Sequence, residues 1–390
     1  MERLYDKLKA YSESDFYAFH MPGHKRNKAL LGIELPYDLD ITEIDGFDDL
    51  HHADGILKEE QERAARVFGA EESHFLVNGS TAGILSAVMG CTHRGDKILV
   101  ARHCHKSIYH AIYMNGLVPR YVYPEFDISM HMNGEISKED VAKALAAEPD
   151  IKAVVIVSPN YDGVVSDVKG IAEVAHSYRI PLIVDEAHGP HFGFHPAFPG
   201  RANDLGADVV INSLHKTLPS LTQTAILHIN GKIVNRRRIK KYLDMLQSSS
   251  PSYIFMASLD ACVDFLDGKC EEAFELYVER LQKFREELKP LQHLQILRTE
   301  HYDISKVVIS TSNANITSPE LADRLRKEYH LEMEMTGGTY VLAMTTVADT
   351  QEGLDRLKAA LLEIDGQLEA KTAVSGSVEI SGELPRLEQY

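Results

Sequence analysis

Short, continuous apolar runs alternate along this chain with segments in which apolar residues recur every three or four positions. The runs are "SHFLV" (73–77), "KILVA" (97–101), "RYVY" (120–123), "AVVIV" (153–157), "PLIVD" (181–185), "DVVIN" (208–212) and "TAILHI" (224–229). Each has the length and β-branched content of a buried strand. Between them, "DVKGIAEVAHSYR" places Val168, Ile171, Ala172, Ala175 and Tyr178 on one helical face. Buried strands alternating with helices predict an α/β fold with a mainly parallel, doubly wound sheet.

The pattern changes on either side of that core. Residues 1–50 read as an irregular N-terminal arm, and "EEAFELYVERLQKFREEL" (271–288) as a long helix leading out of the large domain at 51–288. Beyond it, "LQILRT", "SKVVIS", a helix "SPELADRLRKEY" opened by a Ser318 cap and Pro319, "LEMEM", "TYVLAM" and a helix near 351–369 predict a small α+β domain at 289–370. The tail, 371–390, is rich in Ser, Gly and Glu and has little apolar surface to bury.

Composition narrows the setting. With 390 residues the chain exceeds one ordinary hydrophobic core, which agrees with two domains. Its 41 basic against 58 acidic residues give a formal net charge of −17, which argues against nucleic-acid or anionic-membrane partners and suits a cationic small molecule. Cys91, Cys104, Cys262 and Cys270 form no C-x-x-C pair, so neither a disulfide framework nor a thiolate metal site is expected. No stretch reaches the roughly 18–20 apolar residues of a membrane span, and the N-terminus has no signal-peptide core. The reading is a soluble, cytoplasmic protein.

In a parallel sheet, ligands gather at the carboxyl ends of the strands. After "SHFLV" comes "NGSTAG" (78–83), where Gly79 allows close backbone approach and Ser80 and Thr81 set hydroxyls beside free amides at a helix N-terminus. A capped helix with no ligand has the same signature. After "PLIVD" comes "DEAHG" (185–189), whose Asp185 needs a cationic partner if it is buried, unless it is an ordinary N-cap. After "DVVIN" comes "NSLHKTLPSLTQTA" (212–225), with Ser213, His215 and Lys216. Together these describe a pocket for pyridoxal 5'-phosphate. Lys216 would hold the aldehyde, Asp185 would keep the pyridine nitrogen protonated, and Ser80, Thr81 and Ser213 would take the phosphate. An ion pair at about 4 Å is worth roughly 4 kcal/mol at an effective dielectric of 20, enough to move the ring nitrogen by several pH units.

The lysine stretch resembles the cofactor-lysine signature of the Orn/Lys/Arg decarboxylase family, with Ser213, His215 and Lys216 followed by Ser220, Thr222, Gln223, Thr224 and Ala225. The resemblance continues through "FHMPGHK" (19–25), "DITEIDGFDDLHHADGIL" (40–57), "FLVNGSTAG" (75–83), "ARHCHKS" (101–107), "VDEAHGPHF" (184–192) and "SPSYIFMASLD" (250–260). It implies a fold-type-I pyridoxal-phosphate enzyme, aspartate aminotransferase-like, at least dimeric, with active sites near the subunit interface. The implied reaction decarboxylates lysine, arginine or ornithine to an amine of the kind used in polyamine synthesis. Carried over residue by residue, the resemblance makes His105 the imidazole stacked on the cofactor, with Ser107 beside it. His188 and His215 become polar partners of cofactor or substrate, and Lys216 or His215 the donor of a proton to Cα. Glu334 in "LEMEMTGG" matches the family's E-x-T-G block and is a candidate partner for the substrate's distal cation, although strand alternation would equally turn Glu332 and Glu334 to water.

No metal is expected, because "HGPHFGFH" sets His188, His191 and His195 in a Gly- and Pro-interrupted segment with no helical face. His51 and His52 are expected at an interface or in a structural role. Against the family pattern the chain reads as a short member, lacking the N-terminal wing and most or all of the C-terminal domain, so ring assembly through a wing is not expected. An aminotransferase or lyase would need the same lysine and aspartate. A non-catalytic regulatory relative would typically have lost one of them.

Overall fold

The computed structural model describes residues 3–127, 131–297 and 301–371. The seven apolar runs form one sheet, with strands Glu72–Leu76 (β1), Lys97–Ala101 (β2), Val118–Val122 (β3), Val154–Val157 (β4), Leu182–Asp185 (β5), Val209–Asn212 (β6) and Ala225–Ile229 (β7). Their spatial order is β1-β7-β6-β5-β4-β2-β3, and only β7 runs antiparallel to its neighbours. The runs are uniformly apolar because both faces are covered. Val155, Ile183, Val209 and Ile211 pack on one side, and Val154, Ile156, Leu182, Val184 and Val210 on the other.

Twelve α-helices accompany the sheet among the described residues. In chain order they are Leu4–Ser12 (α1), Ile56–Val67 (α2), Gly79–Cys91 (α3), Lys106–Asn115 (α4), Lys138–Ala147 (α5), Val168–Ser177 (α6), Leu214–Thr217 (α7), Arg236–Leu246 (α8), Tyr253–Leu266 (α9), Glu271–Glu287 (α10), Ser318–Tyr329 (α11) and Gln351–Asp365 (α12). A second, antiparallel sheet of Gln295–Ile296 (β8), Lys306–Ser310 (β9), Met335–Thr336 (β10) and Tyr340–Met344 (β11) has the order β8-β9-β11-β10. No helix among the described residues is long and apolar enough to cross a membrane.

Several expectations change. The arm is not wholly irregular: α1 buries Leu4 and Leu8, and the Leu4 amide donates to Asp260 Oδ2 on α9 at 2.8 Å. Asp260 also meets the Arg63 guanidinium of α2, which reaches Asp264 at 3.1 Å. The buried Leu4/Leu8 pair at i, i+4 was the helical signal. Thr317, not Ser318, caps α11. Its side chain accepts the Glu320 amide while Glu320 accepts the Thr317 amide at 2.8 Å, a complete capping box, with Ser318 and Pro319 already helical.

Tyr178 falls at the C-cap of α6 and is 36% exposed, off the buried face. The strand expected at "LEMEM" shortens to Met335–Thr336, and the last helix ends at Asp365. Arg298 and Thr299 of "LQILRT", and the tail from 372, lie outside the described residues.

Helix α3 carries the first strand-end loop, and its position depends on two close approaches. A Cβ at Gly83 would lie 2.6 Å from Leu76 Cδ1, and one at Gly90 would lie 2.8 Å from the backbone Cα of Ile239 on α8. The second contact is with main chain and cannot yield by a rotamer change. Gly90→Ala is therefore expected to push α3 and α8 apart and to destabilise the protein by about 1–3 kcal/mol, the usual range for overpacking. Urea unfolding checks this, and an unchanged midpoint would refute the close crossing.

Candidate active site

Because β1, β2, β4, β5 and β6 point the same way, their carboxyl ends deliver side chains to one edge of the sheet. There a cavity of about 720 Å³ is lined by Ser80, His105, Asp185, His188, His215, Lys216 and Glu334 among others. Seven of the expected residues are thus brought together from four strand ends and the small sheet. Of the others, Gly79 opens α3 with φ +72°, which glycine adopts without strain. Thr81 is exposed on the first turn and does not line the cavity, and Ser107 is buried beneath His105.

Of the charged groups here, Asp185 is buried and Lys216 half-buried, whereas Lys106 and Glu334 are exposed. Asp185 is 3% exposed, and its carboxyl is pushed above its ordinary range by burial, opposed by Lys216 and by the Ala187 amide, which it accepts at 3.1 Å. Burial likewise lowers Lys216, against the pull of Asp185 and Glu334. His105 is lowered by burial, then by Lys216 and Lys106. Its Nδ1 accepts the Ser107 amide at 3.3 Å with Ser107 Oγ at 2.8 Å, so the ring is neutral, oriented and open on its face. His215 Nδ1 lies 2.8 Å from the Thr224 carbonyl, which can only accept, so Nδ1 carries the hydrogen and Nε2 a lone pair.

The hydroxyls around Lys216 do not all face the cavity. Thr217 Oγ1 pairs with His191 at 3.0 Å, while Thr224 donates to Ser220, which also meets Ser258. Ser213 differs: its side-chain oxygen is buried with no hydrogen-bond partner. A buried hydroxyl without a partner is costly unless a ligand completes it. Helix α3 has no side-chain cap, although its Gly79 amide donates to the Gln223 carbonyl at 2.9 Å, and Ser80 on its first turn lines the cavity. An orphan hydroxyl and uncapped helix amides are the donors a phosphate requires, so the residues present fit pyridoxal phosphate.

His191 is held by Thr217 and by Asp303 at 3.1 Å, and His195 by Glu275 at 3.0 Å, so neither shares His188's surroundings. His51 Nε2 lies 2.8 Å from the Ser248 carbonyl, tying the residues before α2 to the chain after α8. Sequence reasoning missed His103, Cys104, Lys106, Val157, Tyr161, Ala187 and Met344 as lining residues. His103, Cys104 and Lys106 could have been found, since they flank His105 after β2. Tyr161 lies in a loop four residues beyond β4, and only folding brings its hydroxyl to Glu334.

Known proteins resemble this chain over most of its length. A family model described as "Orn/Lys/Arg decarboxylase, major domain" matches residues 3–362. The arginine decarboxylase of Bacillus subtilis (strain 168) is 34% identical over 392 residues, covering 97% of this chain and 80% of that protein. The constitutive lysine decarboxylase of Escherichia coli (strain K12) is 28% identical over 73% of this chain and 43% of its own length. Among solved structures, a lysine decarboxylase of Francisella novicida superposes with a TM-score of 0.81 at 20% identity, over 93% of this chain and 60% of that one. The ureidoglycine-glyoxylate aminotransferase of Bacillus subtilis does so with a TM-score of 0.65 at 15% identity, over 80% and 85%.

At such identities the structures speak to the fold alone. That fold is the fold-type-I architecture, a mostly parallel seven-stranded sheet with a small second sheet. Within it, the chain belongs to the Orn/Lys/Arg decarboxylase family. It spans less than two thirds of the lysine decarboxylase structure that it matches.

Proposed function

We propose that this chain binds pyridoxal 5'-phosphate at Lys216 and decarboxylates a basic amino acid to the corresponding amine. The observation that carries the reading is the meeting of Lys216 and buried Asp185 in one cavity, with the unpartnered Ser213 hydroxyl following the same strand as Lys216 but not lining that cavity. The family of the chain supports it. Pyridoxal phosphate, when bound, supplies an electron sink for the pair left when the Cα–carboxylate bond breaks.

The protein's own groups do the rest. Ser213, Ser80 and the first-turn amides of α3 would hold the phosphate, and the flat, neutral His105 ring would support one face of the cofactor. Asp185, costly to bury as a lone charge, favours a cationic ring N–H opposite it. For the proton returned to Cα, Lys216 is the better donor than His215. His215 presents a bare Nε2 and is held below its ordinary pKa by burial, whereas the Lys216 amine carries exchangeable protons at the site itself.

Purified protein supplied with cofactor and with lysine, arginine or ornithine is expected to release carbon dioxide and amine. Lys216→Ala is expected to abolish turnover, and borohydride reduction with peptide mapping to mark Lys216. A label on another lysine, or an oxo acid formed without carbon dioxide, would overturn the assignment in favour of different chemistry on this fold.

The substrate class rests on Glu334. It lines the cavity from the small sheet, accepts the Tyr161 hydroxyl and contributes to the field at Lys216. We read it as the partner of the substrate's distal cation. Losing that charge-assisted contact in Glu334→Gln should weaken binding by about 1.5–3 kcal/mol, seen as KM raised by roughly one to two orders of magnitude on the best basic amino acid. Unchanged kinetics would remove Glu334 from the site, and a best substrate with an uncharged side chain would overturn the class.

The working unit is read as a homodimer. The arm leaves Phe19 89% and Leu30 75% exposed, with Phe16, Tyr17, Met21 and Leu31 also bare, an apolar surface that a second copy of the chain would cover. Sedimentation velocity is expected to give a dimer, and an active monomer would refute it.

A further inference from the structure

Lys216 sits on α7, a single turn of four residues, and one turn of helix has too few internal bonds to hold its own position. Its neighbours hold it instead. On one side of Lys216, His215 Nδ1 is tied to the Thr224 carbonyl at 2.8 Å. On the other, Thr217 is buried and its Oγ1 lies 3.0 Å from His191 Nδ1. His191 is buried too, and its Nε2 lies 3.1 Å from Oδ1 of buried Asp303.

Asp303 belongs to the frame of the small sheet. It stands in the turn that enters β9, where its carbonyl accepts the Lys306 amide at 3.1 Å, Oδ1 accepts the Ser305 amide at 3.0 Å and Oδ2 accepts the Ser305 hydroxyl at 2.8 Å. The Ser305 carbonyl in turn accepts the Thr345 hydroxyl, just beyond β11, at 2.8 Å. The Asp303 carboxylate is thus fixed to both central strands of that sheet. The same turn reaches the amine end of Lys216 as well: Lys306 Nζ is 3.0 Å from His188 Nδ1, and His188 Nε2 is 3.0 Å from Lys216 Nζ.

The His191 ring between Thr217 and Asp303 has little freedom to turn. It meets Phe192 edge-on at 4.9 Å and Phe198 edge-on at 4.8 Å, and Phe198 is stacked on Tyr277 at 5.9 Å. Both polar contacts survive either protonation state of the ring. A neutral ring donates to the carboxylate from Nε2 and accepts the Thr217 hydroxyl at Nδ1, and a charged ring donates at both, because a hydroxyl can donate or accept.

We propose that Thr217 and His191 are positioning residues: with Asp303 they form a buried relay that ties the turn carrying Lys216 to the small sheet and so sets where the Lys216 amine stands in the cavity. The inference rests on the reading of Lys216 as the reacting lysine. Thr217, His191 and Asp303 do not line the cavity, so the relay acts on the amine through the main chain at residues 216 and 217. Buried partners of this kind keep a reacting group in place, and a misplacement of about 1 Å costs on the order of a hundredfold in rate.

Two ligands separate this role from a merely structural one. Pyridoxal 5'-phosphate must meet the Lys216 amine, whereas pyridoxamine 5'-phosphate fills the same seat without an aldehyde to capture. Capture joins the amine nitrogen to the aldehyde carbon with loss of water, and borohydride fixes the link by adding hydride. In the chain stripped of cofactor, timed borohydride trapping with peptide mapping reads the rate of capture at Lys216, and calorimetry reads the affinity for pyridoxamine 5'-phosphate.

Thr217→Val keeps the shape and removes the hydroxyl; it is expected to slow capture about tenfold or more while leaving the pyridoxamine 5'-phosphate affinity within about twofold. Thr217→Ser is expected to restore the rate. Equal losses on both ligands would make Thr217 purely structural, and an unchanged rate would leave Lys216 independent of it; either outcome overturns the proposal. Asp303→Asn is expected to slow capture too, but no further in a chain that already carries Thr217→Val. Multiplied effects would mean that the two residues act separately, which overturns the link to the small sheet. Should Thr217→Val not fold, Asp303→Asn is read with the same two ligands and the same expectation. A label on another lysine in the unmodified chain would overturn the reading of Lys216 itself, and this inference with it.

Discussion

The cost of keeping a charge away from water governs the centre of this molecule. Asp185, Lys216, His188 and Lys306 all lie where the sheet's carboxyl edge meets the small sheet, and burial pushes each of them towards its neutral form. Lys306 is brought down to about 8. Asp303 is the exception, kept ionised by His191 and Ser305. One anchored carboxylate stands among groups that burial makes reluctant to charge, which gives the site a polarity.

The same constraint explains why two sheets are needed. Strand ends of the large sheet supply Asp185 and Lys216, but Glu334, Met344 and Lys306 come from the small one. His191 reaches across to Asp303, and Tyr340 donates to Asp162 at 2.6 Å in the opposite direction. These polar contacts fix the small sheet relative to the cavity more specifically than apolar packing could, since they are directional and buried. A small displacement would cost several of them together.

Close packing carries the other part of the geometry. Helix α3, whose first turn has no side-chain cap, lies against Leu76 and Ile211 at Gly83 and against the α8 main chain at Gly90. Its neighbours leave it one position, and its end at the cavity is set by glycines up to eleven residues away. Ser213 has the complementary history. It follows a fully buried strand, so its hydroxyl is carried inside with nothing to bond.

Much of this was legible in the chain. The seven apolar runs are the seven strands to within a residue or two, because strands covered on both faces must be apolar throughout. The residues following them are the cavity, because parallel strands end on one edge. Asp185 and Lys216 could be placed at that edge from the strand pattern alone. What the sequence could not determine was any relation between segments distant along it.

Thr217, Ser220 and Thr224 crowd around the lysine in the sequence, yet they bond to His191, Ser258 and one another. Glu334 stands in an alternating pattern that reads equally as surface, and only the approach of Tyr161 gives it a place in the cavity. Lys306 appears as one polar residue opening an apolar strand, and 118 positions separate it from His188. Local patterns report which face of an element is buried, and therefore specify elements and edges. Which polar atom meets which across the interior is decided by packing of the two sheets, where burial makes each unpaired group too costly to leave alone.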